Sequence, residues 1–149
     1  MSLLESQKAT YASKPLSGVG VLTGTSIGTL GSDTNGVTIF TADTKGGRVT
    51  SLLGSTDDTV TVNVFLYILK SSTVIPLGLV NIPLSSGNTA AAATMVDMLA
   101  TIPGLPLDNQ GKRYISLGPN DVLKCTSLAN LSSTKKAYIS AQGFNVDPA

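Results

Sequence analysis

The chain has no histidine, no tryptophan and a single cysteine, and its only aromatic residues are four tyrosines and three phenylalanines in 149 residues. Each absence closes a class of function. General acid–base catalysis near neutral pH leans on histidine or on carboxylates with displaced pKa values, so any such chemistry would fall to nine acidic side chains. Zinc is bound by cysteine and histidine in sets of three or four, and Cys125 stands alone. One cysteine also excludes an internal disulfide and gives no sign of folding in an oxidising compartment. Charge is scarce as well. Charged residues make up 13% of the chain, about half the usual ~25%, and serine, threonine, asparagine and glycine fill the gap. A formal net charge of +1 gives no electrostatic footprint for nucleic acid or an anionic membrane. The longest apolar run, Val64 to Leu69, is far short of the ~20 residues needed to span a bilayer. Met1 to Ala12 lacks the continuous apolar core of a secretory leader. A soluble protein is expected.

What is present is alternation. From Thr59 to Lys70, Val60, Val62, Val64, Leu66 and Ile68 take every second position, which puts them on one face of a β-strand. The other face begins polar and turns apolar at Phe65, Tyr67 and Leu69, so one end of this strand calls for cover on both sides, by a second layer of the same chain or by a neighbour. Further strands are expected over Val37–Thr41, Arg48–Leu53, Val74–Ile82, Tyr114–Leu117, Val122–Ser127 and Lys135–Phe144. They are separated by turn clusters such as Lys45-Gly46-Gly47, Ser55-Thr56-Asp57-Asp58 and Gly118-Pro119-Asn120-Asp121. Pro76 cannot donate to a ladder, which places its strand at an edge or a bulge. Ala91, Met95, Met98, Leu99 and Ile102 approach an i, i+3, i+4 stripe, and Pro103-Gly104 follows, so a helix is expected over Ala90–Ile102. Residues 1–35, with six glycines between Gly18 and Gly36, read as an extended arm that must be held, by a partner surface or by docking on its own domain. Residues 36–149 read as the folded domain. The fold class is all-β: an antiparallel two-sheet sandwich of about eight strands. A jelly roll is the expected version, and a seven-stranded immunoglobulin-like sandwich is the alternative.

Motifs that suggest chemistry dissolve on inspection. Asp57-Asp58 is the one adjacent acidic pair, and neighbouring carboxylates on a turn point apart. Asp33 and Asn35 resemble a fragment of a calcium loop but lack its downstream glutamate, and they read as a turn. Gly18-Val19-Gly20 lacks the third glycine and the following helix of a dinucleotide site. Cys125 has no base to activate it. Asn130-Leu131-Ser132 fits a glycosylation acceptor. The basic pair Lys135-Lys136 has only Tyr138 as an aromatic neighbour, too little for stacking on single-stranded nucleic acid.

Taken in order, Lys45-Gly46-Gly47-Arg48-Val49, Leu53-Gly54-Ser55-Thr56-Asp57, the long apolar strand, Pro103-Gly104-Leu105-Pro106-Leu107-Asp108 and Tyr114-Ile115-Ser116-Leu117-Gly118-Pro119-Asn120-Asp121 resemble the head decoration, or cement, proteins of tailed bacteriophages. The likeness spans Val37 to Phe144. It implies a jelly roll with no catalytic residues, bound to the outer capsid surface of the virion after assembly in the host cytoplasm. The implied partners are the major capsid protein and copies of itself, as a dimer or trimer. No cofactor, metal, direct nucleic-acid contact or membrane contact is expected. Interface candidates are Leu3, Leu4, Tyr11, Val19 and Val21 on the arm, and Phe65, Tyr67 and Leu69 on the long strand. The alternatives are a receptor- or glycan-binding module of a phage fibre, and a tail or neck component.

Overall fold

The computed structural model describes residues 13–128, 131–132 and 134–146. Among the described residues nine strands form: β1 (Ser13–Leu22), β2 (Val37–Thr41), β3 (Gly47–Thr56), β4 (Val62–Lys70), β5 (Thr73–Ile82), β6 (Val96–Asp97), β7 (Ile115–Leu117), β8 (Val122–Ser127) and β9 (Ala137–Val146). They build two antiparallel sheets. One runs β1-β9-β3-β6 with β7 also on β3, and the other runs β2-β8-β4-β5. The pairings nest: β1 with β9, β2 with β8, β3 with β6 and β7, and β4 with β5. The chain is therefore one long hairpin folded over into two layers, the strand connectivity of a jelly roll.

The alternation of β4 sets the core. Val62, Val64, Leu66 and Ile68 are buried and meet Val49 and Leu52 of β3, Leu123 and Cys125 of β8, and Ile139 of β9 in one apolar cluster. Ala137 and Ala141, also in the cluster, present small side chains that let the sheets approach closely. β5 lies at the edge of its sheet, and the β4–β5 register shifts beside Pro76. The proline thus sits both at an edge and at a bulge, where its missing N–H costs no ladder bond.

Two expectations are corrected. The first is the helix over Ala90–Ile102, because no described residue is helical. The apolar stripe is real, since Met98, Leu99 and Ile102 are buried at 0%, 3% and 4% exposure. A turn rather than a helix delivers it. Val96 and Asp97 pair with Gly54 and Leu53 on β3, and the Met98 N–H donates to the Leu52 carbonyl at 2.9 Å. Asp97 Oδ1 accepts the Ala100 N–H at 3.3 Å, and Thr101 Oγ1 donates to the Met98 carbonyl at 2.9 Å. Short polar side chains bonding nearby backbone compete with a helical ladder. Pairing with β3 and burial of three apolar side chains, each worth about 1.5–3 kcal/mol, decide the outcome.

The second correction concerns the arm. Residues 13–22, expected to lie outside the sandwich, form strand β1 on β9, from Ser13 opposite Val146 to Leu22 opposite Ala137. The glycines that look like linker have a packing role. β1 crosses so close to β2 that a Cβ on Gly18 would collide with the Ile39 carbonyl oxygen. Gly18→Ala is therefore expected to cost about 1–3 kcal/mol in urea unfolding, since the obstruction is backbone and cannot swing aside. Gly104→Ala, where the added methyl meets nothing within 4 Å, is the matched control and should leave the midpoint nearly unchanged.

Candidate functional site

The outward face of β4 is where the sequence asks for a second cover. Phe65 and Tyr67 are buried at 1% and 0% exposure, and their rings stack with centroids 5.1 Å apart. Both lie outside the inter-sheet core cluster. The cover is the glycine-rich segment 23–36 of the same chain. Ile27 bridges to Ser127, the Gly28 N–H donates to the Ser127 carbonyl at 2.9 Å, and the Ser127 N–H donates to the Ser26 carbonyl at 3.0 Å. A Cβ on Gly36 would strike the Tyr67 hydroxyl, so only glycine lets the backbone lie this close. Phe65 and Tyr67 are thus not free surface on the chain, and Leu69 is half-buried.

A polar knot pins this third layer. The Tyr67 hydroxyl donates to Asp33 Oδ1 at 2.5 Å, and Lys124 Nζ pairs with the same oxygen at 2.7 Å. Burial alone would raise the Asp33 pKa, but the hydrogen bonds from Lys124 and Tyr67 and the lysine charge outweigh it and hold the carboxyl below its ordinary value. Burial, then the Asp33 hydrogen bond and charge, push the Tyr67 phenol well above its ordinary value. The tyrosine stays protonated and the aspartate ionised. Each group satisfies another, so the knot has no proton to give or take near neutral pH. Asn35 is also engaged, donating through Nδ2 to the Ile27 carbonyl at 2.9 Å.

The other titratable candidates are likewise committed to the fold. Asp57 Oδ1 accepts the Lys136 N–H at 2.7 Å. Asp58 turns inward and is fully buried, accepting from the Thr59 N–H at 2.7 Å and from the Ser132 N–H and hydroxyl, each at 2.9 Å. The Ser132 N–H, above all, holds its carboxyl below the ordinary value against the cost of burial. The two carboxylates serve different loops and share no proton. Burial pushes the Cys125 thiol up to about 12, so it is not a nucleophile at neutral pH. Among the described residues no three acidic, histidine or cysteine side chains come together as metal ligands, and no helix is long and apolar enough to cross a membrane.

What remains outward is surface. On β1, Val19 is 57% exposed and Val21 half-buried; they sit opposite Ser140 and Tyr138 of β9. Leu3, Leu4 and Tyr11 lie outside the described residues. Two features are added by the structure. One is on β5, the edge strand that Pro76 points to in the sequence: it has no charged residue, and Ile75 and Leu79 on it are 39% and 53% exposed. The other is a second adjacent basic pair, Lys112-Arg113, followed by Tyr114, which the fold brings near Arg48 and Phe144.

Two outcomes check the structural reading of these groups. Tyr67→Phe removes the hydroxyl donor and should lower unfolding free energy by about 1–2 kcal/mol. Asp33 and Asp58 both have folded-state pKa values below the unfolded value of about 3.9. Their contribution is therefore complete above that value and is lost as pH falls through the lowered ones. Urea unfolding should show stability declining below about pH 4, with a shallower decline and about 2 kcal/mol less stability at neutral pH in Asp58→Asn. A decline as steep as that of the parent chain would remove Asp58 from this account. Compared with known proteins, the sequence matches no family model and no curated protein.

Proposed function

We propose that this protein is a non-enzymatic structural component that works by adhesion, as a decoration protein on the outer surface of a phage head. One observation carries the reading: the exposed edge of β5. An edge strand offers unpaired backbone groups to any extended chain, and monomeric proteins blunt such edges with charge, proline or a bulge. β5 has ten residues and no charge, with Pro76 and the neighbouring register shift as its only guards. Ile75 and Leu79 stand exposed along it. An edge of this kind suits strand addition from a neighbour, where backbone bonds supply affinity and alternate side chains supply selectivity.

The rest of the molecule is consistent with that use. The two sheets and the pinned segment 23–36 make a stiff body that presents its edges with little reorganisation on binding. Low surface charge weakens repulsion between copies crowded on a shell, and repetition on a symmetric lattice multiplies modest contacts into avidity. The resemblance of the strand and turn order to cement proteins is what suggests the lattice, a major capsid protein, with copies of the chain itself as further partners.

Ile75→Lys combined with Leu79→Lys changes two exposed side chains and should leave the fold intact. In co-sedimentation with particles assembled from the source genome, the wild-type chain should bind to saturation and the double variant at least about tenfold more weakly, a loss of about 1.4 kcal/mol. Wild-type-like saturation by the double variant would exclude β5 as the contact. A wild-type chain that fails to join such particles would overturn the assignment.

A further inference from the structure

The outer face of the five-stranded sheet carries a cleft that the β5 edge does not use. Arg48 on β3 lies opposite Phe144 on β9 and Ser116 on β7. Its guanidinium carbon is 4.1 Å from the centre of the Tyr114 ring and 6.0 Å from that of Phe144. Two adjoining hollows of about 450 and 400 Å³ open beside it, and Thr50, Lys112 and Arg113 line both. Two acids stand on the rims, and both are engaged by backbone. Asp97 Oδ1 accepts the Ala100 N–H at 3.3 Å, and Asp108 Oδ1 accepts the N–H groups of Gln110 at 2.8 Å and Lys112 at 2.9 Å. The cations are partly engaged: Arg48 lies over the Tyr114 ring, and the Asp108 carboxyl is held below its ordinary value by backbone hydrogen bonds, the Lys112 N–H first, and by the charges of Lys112 and Arg48. The ion pairs among the described residues join Lys70 to Asp121 and Lys124 to Asp33, and neither includes Arg48, Lys112 or Arg113. Arg113 is only half used: Nη1 reaches the Ala100 carbonyl at 3.5 Å, and Nε is buried without a hydrogen-bond partner. Buried polar atoms are rarely left in that condition.

We propose that this cleft receives an acidic loop of a partner protein, with one or two carboxylates against Arg113 and Lys112 and an adjacent apolar side chain on Tyr114 and Phe144. The inference rests on the adhesion reading and adds the chemistry of the surface gripped. The planar fork of a guanidinium matches a carboxylate, and a rotation of Arg113 presents Nε and Nη together to one. A concave site takes a protruding loop rather than a flat face. Three cations and two rim carboxylates leave the cleft a small positive excess, which matches a short acidic segment; a nucleic-acid polyanion calls for a longer basic track.

The test uses the full-length, isotope-labelled chain and two end-blocked peptides, Leu-Glu-Phe-Glu and its neutral counterpart Leu-Gln-Phe-Gln. Amide shifts should saturate with the acidic peptide at a dissociation constant of about 1 mM or below. They should cluster at residues 48, 112–114 and 144 and weaken in about 0.5 M salt. The neutral peptide, and the variant Lys112→Gln with Arg113→Gln, should bind about tenfold more weakly or worse. Equal binding of both peptides, shifts centred elsewhere, no saturation by about 10 mM, or preference of the cleft for a sulfated oligosaccharide or an oligonucleotide would each overturn the inference. Particle co-sedimentation separates the two claims. Weakened binding by the double glutamine variant supports the acidic loop, and equal binding by both chains removes the loop while adhesion stands. Peptide capture without particle binding by the wild-type chain removes adhesion alone.

Discussion

A strand that is apolar on both faces cannot form the outer surface of a two-layer sandwich, and β4 is such a strand. Val64, Leu66 and Ile68 enter the core between the sheets, while Phe65 and Tyr67 point the other way and are equally buried. Burying those two rings is worth about 3–6 kcal/mol between them. The chain meets this demand with its own residues 23–36, laid over β4 and β8 and fixed by Tyr67, Asp33 and Lys124. The glycine at position 36, the ionised Asp33 and the protonated Tyr67 all follow from placing backbone directly against the Tyr67 hydroxyl.

That arrangement redistributes what the surface can do. The aromatic pair that looks adhesive in the sequence is spent on internal cover, and so are the acidic residues and the thiol that look reactive. The surface retains an uncharged apolar edge on β5, Val19 on β1 and a cationic, aromatic-lined cleft on the opposite sheet. Under the adhesion we propose, these are the features that would hold a neighbour. The edge and the cleft lie on different sheets, which suits a chain seated at a junction between several neighbours.

Much of the fold is legible in the sequence because its strands are bounded by local turn chemistry. β2 and β8 begin and end at the expected residues, Val37–Thr41 and Val122–Ser127, because glycine or turn clusters flank alternating runs. β1 is hidden because Gly18 and Gly20 serve a close approach to β2 that no local pattern records. The turn carrying Met98, Leu99 and Ile102 imitates a helix because both structures place such residues on one side; the choice was made by β3, some forty residues earlier in the chain. The cleft is spread over positions 48, 112–114 and 144, and only strand register unites them. Its one local trace is the run Lys112-Arg113-Tyr114.

The central claim is that segment 23–36 covers β4 within a single chain rather than reaching for a neighbour. Amide hydrogen exchange on the isolated, dilute protein tests this directly. The account predicts that Gly28, Gly36 and Ser127, whose N–H groups are bonded within or beneath that segment, exchange as slowly as the strands they touch. Exchange of 23–36 at free-peptide rates in the isolated protein, slowed only when it joins an assembly, would contradict it.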